Sequence, residues 1–541
     1  MTNIFIFNNS SRAANYGIGT YVRQLSVCLS AQPDVKVSLV EMQADTKEFS
    51  ISDDGNGVRH YLIPQILSGI ENETYCRTIF YFLARSIGAG KDDMVLFQFN
   101  YFQHYPLALL LKSWYKNSRI LLTVHYMEWC FELRGNVGRM REITAEGHIP
   151  SDDMERAVAQ SFAAEMMFLH LADRVMVLSE NTKRILASDY KVPVDKMQLV
   201  YNGIGEHVYG NGANNKIGDR KILFVGRLDE IKGLRYLIEA FALIAEKHKE
   251  ASLVIVGDGD FQPYMVQGRK LTGRIAFVGK MAQSEVEGVY QTAYIGVMPS
   301  FHEQCSYTAI EMMRHGIPVV GTDSTGLGEM LDPTPDLRVH INESDFNDDE
   351  FISQIAIRLD MLLSDDSAYR RASSAVLRQY NEKYTSSAMA EGVRASLRGV
   401  MENSSSLLPY DYLPHLDTRM VGLINSHPDI DLDFYGLTGI GVYLWWRVLQ
   451  LERGTAAEAG QLAFIKEHLI YYMDWVCEVA ETDDNIPPCL AAMLLSMREH
   501  SFYPTKVDTT LLYVGTAIRE GRFPSEHEIL HNALRICTCK I

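Results

Sequence analysis

The sequence predicts an α/β protein with two doubly wound, parallel-sheet domains and a C-terminal α-helical region. Two observations support this fold class. Short apolar runs, typical of strands buried on both faces, alternate with amphipathic helical stretches over about the first 350 residues. The alternation is interrupted at the polar, Gly- and Asn-rich residues 209–218, and from about residue 353 it gives way to helical patterns alone.

The first domain is predicted to occupy residues 1–208. Its strand candidates are residues 4–8, 35–40, 58–63, 94–99, 119–125, 174–179 and 197–202. The helical stretches between them include residues 19–31, 151–171 and 180–187. Because strands and helices alternate, we expect one parallel sheet with helices on both faces, as in Rossmann-like domains.

The second Rossmann-like domain is predicted at residues 214–375, and the 209–218 linker spans its boundary with the first domain. Its strand candidates are residues 222–226, 252–257, 275–279, 294–298, 317–321 and 337–341. Apolar residues at helical spacing mark its first helix, and they would face the sheet: Leu234, Leu237, Ile238, Phe241, Ile244 and Ala245. Helical patterns continue over residues 353–401, and a Ser- and Pro-containing boundary at 404–414 precedes an α-helical appendage at 415–541.

Composition and charge narrow the function class. The 541 residues are 47% hydrophobic and 22% charged, as in ordinary globular proteins, and the net charge of -17 argues against a nucleic-acid partner. Residues 1–9 lack the pattern of a signal peptide, and no apolar run of about 18 residues occurs. The eight cysteines have no paired metal-ligand spacing, which suits free thiols. We therefore expect a cytoplasmic protein without a membrane span or a metal site.

Two glutamates, Glu303 and Glu311, lie where a predicted strand gives way to a helix. The apolar run 294–298 is followed by Pro299, and a helical pattern begins near Ser306. Parallel sheets bind ligands at the carboxyl ends of their strands, so acids in this position are candidates for ligand contact. The helix macrodipole alone also favours acids here, and the pair therefore needs support from other motifs.

A turn with two cations follows the first strand of the second domain. Arg227 and Lys232 lie between Gly226, where the strand ends, and Gly233, where a helix begins. Guanidinium and ammonium groups beside a helix N-terminus are suited to binding a diphosphate. The alternative is a pair of solvated surface cations.

Other candidate positions also follow predicted strands. Gly17 and Gly19 would let backbone N–H groups approach an anion at a helix start, although the third glycine of a dinucleotide fingerprint is missing. Gly257 offers a similar close approach. His125 follows the apolar run 120–124, where an imidazole is suited to bonding a sugar hydroxyl or exchanging a proton near neutral pH. An ordinary turn or strand end is the alternative for each position.

Together these motifs resemble those of retaining glycosyltransferases of the GT-B fold, family 4 (glycosyltransferase group 1), over about residues 1–400. The resemblance is most specific in the second domain. There the motifs follow in family order: Gly226-Arg227, Lys232-Gly233, Gly257-Asp258-Gly259, Glu303 to Glu311, and Gly316 to Val320. The resemblance implies two Rossmann-like domains facing across a cleft, with helices of residues 376–403 packing back on the first domain.

The resemblance further implies transfer of a sugar from a nucleoside diphosphate sugar to an acceptor hydroxyl, with retention of anomeric configuration. Arg227 and Lys232 would hold the diphosphate, assisted by the backbone of the Gly17 to Gly19 turn, and Gly257 would also contact the donor. Because side-chain cations would neutralise the leaving diphosphate, neither a metal nor a cofactor is expected. The donor is then a substrate, and uridine and guanosine nucleotides are both compatible with the sequence.

The remaining site residues would contact the rest of the donor. By resemblance, Glu311 would bind the ribose, and Ser306 would lie beside it at the donor. Glu303 would bind the donor sugar and stabilise its developing positive charge, while His125 would contact the sugar or the acceptor. The base would lie along the segment that contains Lys280.

The chain departs from the family pattern at two places. Cys305 and Ser306 replace a usual aromatic–glycine pair, and Thr325-Gly326 replaces a commoner Gly-Gly, but the charged groups are intact. The rival functions are a nucleotide-sugar epimerase, a phosphorylase-like GT-B enzyme, and a sugar- or nucleotide-binding scaffold without turnover. The acceptor candidates are a glycan, a lipid-linked sugar and a peptide. Residues 415–541 are candidates for acceptor recruitment or for formation of a homo-oligomer.

Overall fold

The computed structural model of the chain describes most of both predicted α/β domains. The described residues are 2–10, 17–54, 57–65, 94–205, 220–402, 459–482 and 500–519, apart from 33, 116, 146 and 344, together with parts of 75–87, 441–452 and 493–498. By its internal contacts the chain divides into two units. The first comprises residues 1–15, 33–121 and 402–541, and the second comprises residues 16–32 and 122–401. The predicted linker at 209–218 and the boundary at 404–414 lie outside the described residues.

The first parallel sheet is formed by the strands predicted for the first domain and by one further strand. The strands are β1 Thr2–Asn9, β2 Val35–Ala44, β3 Ser50–Asp53, β4 Arg59–Pro64, β5 Met94–Phe99, β6 Ser118–Val124, β7 Arg174–Val177 and β8 Met197–Leu199. Their order is β3-β4-β2-β1-β5-β6-β7-β8. The edge strand β3 pairs antiparallel with β4. Strand β3 was not predicted, because all four of its residues are exposed and form no apolar run.

The second sheet contains six strands, and each lies within a few residues of its prediction. They are β9 Arg220–Val225, β10 Ala251–Val256, β11 Ile275–Gly279, β12 Ala293–Met298, β13 Val319–Thr322 and β14 Arg338–Val339. Their order is β11-β10-β9-β12-β13-β14, and all neighbours are parallel. The central strand β9 therefore bonds to β10 on one side and to β12 on the other. All six residues of β12 are buried, as expected for a strand covered on both faces.

Helices connect the strands and continue beyond them. The described helices are α1 Gly17–Ser30, α2 Tyr105–Trp114, α3 Trp129–Glu132, α4 Val137–Ile143, α5 Asp153–Leu171, α6 Glu180–Ser188, α7 Leu234–Ala245, α8 Gln262–Gln267, α9 Gln283–Thr292, α10 Tyr307–Arg314, α11 Thr325–Met330, α12 Asp348–Ser364, α13 Asp366–Lys383, α14 Ser386–Glu402, α15 Ala459–Thr482 and α16 Pro504–Arg519. The apolar face predicted for α7 is confirmed, since all six of its predicted positions are buried. None of the helices within the described ranges has the length and apolar character needed to cross a membrane.

Helix α14 packs against the segment that ends the first sheet. Ile204 and Thr385 form a parallel β-bridge just before the helix begins. Further along α14, a Cβ added at Gly392 would lie 3.1 Å from Val200, and one added at Gly399 would lie 2.8 Å from the guanidinium of Arg174. Small residues on this face of α14 therefore permit close packing. Within the predicted α-helical appendage at 415–541, α15 and α16 are helices, and the described residues among 444–451 and 493–498 are helical as well.

One glycine joins the cationic turn to helix α7. Gly233 has φ = 69°, in the left-handed region, and separates the turn at Glu230–Lys232 from the helix. A Cβ built at this position would lie 2.1 Å from the carbonyl oxygen of Pro299. The conformation and the close approach both require glycine.

We expect Gly233→Ala to lower the thermal unfolding midpoint, because the substitution combines backbone strain with a backbone clash and should cost about 1–3 kcal/mol. Gly288→Ala is the matched control. Gly288 lies within α9 with no atom within 4 Å of an added Cβ, so alanine there should leave the midpoint unchanged or raise it slightly. Equal midpoints for the two variants, measured by circular dichroism, would contradict the role given to Gly233.

Candidate functional site

The cationic turn and the first glutamate meet at the carboxyl ends of neighbouring strands. Lys232 follows β9, Glu303 follows β12, and the Lys232 Nζ lies 2.6 Å from Glu303 Oε1. The two side chains are 19% and 12% exposed, so the pair is shielded from most of the solvent. Arg227 lies in the same turn and pairs with Asp229 at 3.1 Å. The structure thus brings two motifs about 70 residues apart into one charged cluster.

Thr325 fixes the backbone that carries Glu303. The backbone N–H of Glu303 donates to Thr325 Oγ1 at 3.1 Å, and the Thr325 hydroxyl donates to the Glu303 carbonyl oxygen at 2.5 Å. The backbone N–H of Gly326 donates to the same carbonyl at 2.8 Å. A Cβ at Gly326 would lie 1.7 Å from the carbonyl oxygen of Gln304, so this position requires glycine. The departure from Gly-Gly at residue 325 therefore supplies a hydroxyl that holds the Glu303 loop in place.

The residues between the two glutamates are also held by hydrogen bonds. The Asn202 amide donates to the Cys305 carbonyl oxygen at 2.6 Å, and the Ser179 hydroxyl donates to the Gln304 side-chain oxygen at 3.2 Å. Burial raises the pKa of the Cys305 thiol to about 12, so the thiol stays protonated. Ser306 is buried and is the N-cap of α10, where its hydroxyl faces the N–H of Ala309. Cys305 and Ser306 therefore anchor the loop and start the helix.

Glu311 lies on α10, and its carboxylate accepts hydrogen bonds from two side chains of α9. The Gln283 side-chain amide donates to its Oε1 and the Tyr290 hydroxyl donates to its Oε2, each at 2.7 Å. The side chain is 8% exposed, and burial raises the pKa of Glu311 although the two hydrogen bonds oppose the rise. Each carboxyl oxygen keeps a lone pair for a further donor. No sequence motif marks Gln283 and Tyr290, because the side chains that contact a residue from a neighbouring helix leave no pattern in the chain.

The structure places His125 beside the first turns of α1. Gly17 and Gly19 lie in the first turn of that helix, and Tyr21 follows one half-turn later. The Tyr21 ring makes an edge contact with the His125 imidazole at 4.5 Å between centroids, and its hydroxyl shares a 3.0 Å hydrogen bond with Thr123. Burial lowers the pKa of His125 to about 3, so the imidazole is neutral near pH 7. His125 is therefore suited to hydrogen bonding rather than to carrying charge.

Two other residues that were predicted to bind the nucleotide-sugar donor lie farther along the same sheet edge. Gly257 has φ = 158°, and a Cβ there would lie 1.7 Å from the carbonyl oxygen of Gly226, so the turns after β9 and β10 approach closely. Its backbone N–H donates to the Gly279 carbonyl oxygen at 3.0 Å, which links these turns to the end of β11. Lys280 is the next residue and is exposed. It therefore lies two strands from the turn of Lys232.

A buried acid supports the segment that follows His125. Glu165, on α5, accepts a hydrogen bond from the Glu128 backbone N–H at 2.5 Å and another from the Tyr190 hydroxyl. The Trp129 indole N–H donates to the Tyr190 oxygen at 2.9 Å. Glu165 is 1% exposed, and burial raises its pKa to about 8. This network joins α5 to the segment between His125 and α3.

A polar cavity adjoins the Glu303 loop. Its volume is about 670 Å³, and its lining includes Arg134, Asn136, Phe301, Thr325 and Glu343. The Asn136 amide donates to the Glu343 carbonyl oxygen at 2.7 Å. Guanidinium, amide, hydroxyl and carboxylate groups thus face one space next to the residue that positions Glu303. Within the described ranges, no three His, Cys, Asp or Glu residues cluster closely enough to hold a metal ion.

Two family models match most of the two α/β regions. Residues 219–360 match the model described as Glycosyl transferases group 1, and residues 16–206 match the model described as Glycosyltransferase Family 4. An uncharacterized glycosyltransferase of Methanocaldococcus jannaschii is 32% identical over 205 residues, which are 35% of this chain and 51% of that protein. A glycogen synthase of Mycobacterium tuberculosis is 26% identical over 176 residues, which are 32% of this chain and 42% of that protein. The matched region thus spans about half the length of these relatives.

A solved structure supports the fold. Sucrose-phosphate synthase from Thermosynechococcus elongatus superposes with a TM-score of 0.58 and 20% sequence identity, over 75% of this chain and 100% of that one. At this identity the similarity establishes architecture alone. The predicted GT-B fold class is confirmed, with two parallel-sheet regions and additional C-terminal helices.

The raised pKa of Glu165 predicts a pH dependence of stability. In the unfolded chain the carboxyl ionises near pH 4.5, whereas in the folded chain it does so near pH 8. The contribution of Glu165 to the free energy of unfolding is therefore complete below pH 4.5. That contribution is lost as the pH rises from 4.5 through 8. We expect Glu165→Gln to remove that loss and to reduce the fall in thermal midpoint between pH 5 and pH 9 by roughly 5 °C.

The control for this measurement is Glu246→Gln, which changes an exposed glutamate at the end of α7. Its midpoint should follow the wild-type pH profile. If Glu165→Gln also followed the wild-type profile, Glu165 would not be a protonated buried acid at neutral pH.

Proposed function

Since the chain belongs to the group 1 and family 4 glycosyltransferases, we propose that it transfers a sugar from a nucleoside diphosphate sugar to an acceptor hydroxyl, with retention of anomeric configuration. The observation that carries the proposal is the Lys232–Glu303 pair, 2.6 Å apart at the carboxyl ends of β9 and β12. This edge is where parallel sheets bind ligands. When a glycosyl phosphate bond breaks, negative charge develops on the leaving phosphate and positive charge on the sugar. A cation at this edge would stabilise the first charge, and a carboxylate would stabilise the second.

The cations are assigned to the diphosphate. An ammonium group has three donors, and Glu303 takes one of those of Lys232, so the others are available to phosphate oxygens. Arg227 is held by Asp229 through one nitrogen, which leaves further N–H donors of its guanidinium. We assign the N-terminus of α1, with Gly17 and Gly19, to the same diphosphate through backbone N–H groups. Together these groups stabilise the negative charge of the leaving diphosphate.

The two glutamates are assigned to different parts of the donor, Glu311 to the ribose and Glu303 to the transferred sugar. The free lone pairs of Glu311 are suited to accepting the two ribose hydroxyls, while Gln283 and Tyr290 hold the carboxylate in place. Glu303 is assigned to the sugar, where its charge would stabilise an oxocarbenium-like carbon. The base is assigned to the segment ending at Lys280, and Gly257 and Ser306 to the walls of the donor site.

The bonding of Glu303 disfavours the route to retention that passes through a covalent glycosyl-enzyme intermediate. A carboxylate bonded to an ammonium at 2.6 Å is a weak nucleophile, because the cation stabilises its charge. We therefore propose attack of the acceptor on the same face as the departing diphosphate, whose oxygen accepts the acceptor proton. One C–O bond forms as the other breaks, and the proton leaves with the diphosphate. The neutral His125 is assigned a hydrogen bond to the sugar or to the acceptor.

The polar cavity beside Thr325 is our candidate for the acceptor site. It adjoins the Glu303 loop through the hydrogen bonds of Thr325. Its mixture of donors and acceptors suits a polyhydroxylated molecule better than an apolar one. Glycans, lipid-linked sugars and peptides remain the acceptor classes to be screened.

We expect Lys232→Ala to lower kcat/KM for the nucleotide sugar by about a hundredfold or more, because a charge contact to the leaving group is lost. Lys247→Ala is the matched control, since Lys247 lies in the turn after α7, is 60% exposed and pairs with Asp360 of α12 at 2.6 Å. The control should retain wild-type rates of donor hydrolysis and transfer. Unchanged turnover in Lys232→Ala would refute the diphosphate assignment.

The anomeric configuration of the product provides a separate test. We expect the transferred sugar to keep the configuration of the donor, and nuclear magnetic resonance of the anomeric proton reads it directly. An inverted product would overturn the same-face mechanism but not the transfer activity. Donor binding without hydrolysis or transfer would instead favour the binding-scaffold alternative, and recovery of an epimerised nucleotide sugar would favour the epimerase.

A further inference from the structure

His302 is a buried polar residue to which the proposed function assigns no role. It immediately precedes Glu303 in the loop between β12 and α10, and 7% of its surface is exposed. Neither of its ring nitrogens has a hydrogen-bond partner in the part of the chain that the structure describes. By contrast, the equally buried His248 bonds Asp360 at 2.6 Å. A buried hydrogen-bond donor or acceptor without a partner lowers the stability of the folded protein. A bound ligand that supplies the missing hydrogen bonds would recover that free energy.

The surroundings of His302 link it to the site. The Phe131 ring, on the segment that follows His125, makes an edge contact with the imidazole at 6.3 Å between centroids. Phe131 is itself 41% exposed. The ring of His302 is also close enough to Lys232 and Glu303 for both charges to act on it. His302 therefore lies beside the reacting end of the proposed donor site.

The chemistry of the imidazole selects the kind of partner. Burial lowers the pKa of His302 to about 4, so the ring is neutral near pH 7. A neutral imidazole presents one N–H donor and one nitrogen acceptor. A sugar hydroxyl both donates and accepts, whereas a phosphate offers acceptors alone and would favour a charged ring. The free nitrogens therefore match hydroxyl groups better than phosphate oxygens.

We propose that His302 is a specificity-determining residue that binds a hydroxyl group of the donor sugar, next to Glu303. The inference rests on the proposed function, because it requires a nucleotide sugar in the site. The proposed partner of His302 is the sugar part of the donor and not the nucleoside diphosphate. Loss of the imidazole should therefore weaken binding of the complete donor while leaving binding of the nucleoside diphosphate intact.

Isothermal titration calorimetry tests the assignment with four probes: uridine diphosphate, guanosine diphosphate, uridine diphosphate glucose and guanosine diphosphate mannose. For the nucleotide sugar that binds the wild-type protein, we expect His302→Phe to weaken affinity about tenfold, the effect of one lost hydrogen bond. Affinity for the matching nucleoside diphosphate should stay within about twofold. His302→Gln, which keeps a donor and an acceptor, should recover part of the loss. His468→Phe, at a partly exposed position of α15, is the matched control and should bind as the wild type does.

Deoxy-sugar donors make the test specific to one hydroxyl. Removal of the hydroxyl that contacts His302 should weaken binding to the wild-type protein and have little further effect in His302→Phe, since the two changes remove the same bond. Should His302→Phe fail to fold, the same comparison is made in His302→Leu, which also lacks a hydrogen-bonding group. Equal affinities of wild type and variants for the nucleotide sugar would overturn the assignment of His302 alone. Absence of any nucleotide-sugar binding by the wild-type protein would overturn the proposed function as well.

Discussion

The parallel pairing of β9 with β12 is the constraint on which the candidate site depends. The two strands are neighbours in the sheet, with Ile222 opposite Ile295, although about 70 residues separate them along the chain. The turns that follow them consequently leave the sheet at the same edge. Lys232 leaves after one strand and Glu303 after the other, which permits their 2.6 Å ion pair. Without that strand order the two motifs would be unrelated surface charges.

Close backbone approaches support this arrangement. Gly233 lies against the Pro299 carbonyl, Gly257 against that of Gly226, and Gly326 against that of Gln304. At each of these places an added Cβ would meet a backbone oxygen at 2.1 Å or less. The glycines thus allow the turns at the carboxyl ends of the strands to pack directly on one another. Because backbone approaches of this kind leave little freedom, the charged side chains on these turns are held in defined positions.

Burial determines the protonation of the surrounding groups. It raises the pKa of Glu165 to about 8 and lowers that of His302 to about 4, so the acid and the imidazole are both neutral near pH 7. Their roles differ nevertheless. Glu165 has two hydrogen-bond partners and supports the segment after His125, whereas the ring nitrogens of His302 have none among the described residues. The hydrogen bonds of Glu165 are satisfied within the protein, whereas those of His302 are assigned to the donor sugar.

The sequence by itself determined the two parallel sheets, the strands within a few residues, and the identities of the charged and glycine residues at the sheet edge. These features follow from short-range causes: hydrophobic periodicity, strand-to-helix junctions and the conformations that glycine permits. It did not reveal the exposed strand β3, the donors Gln283 and Tyr290 on Glu311, the anchoring hydroxyl of Thr325, or the unsatisfied His302. Only the tertiary structure decided these, because partners across a sheet are set by strand order and loop packing, which leave no periodic pattern in the chain.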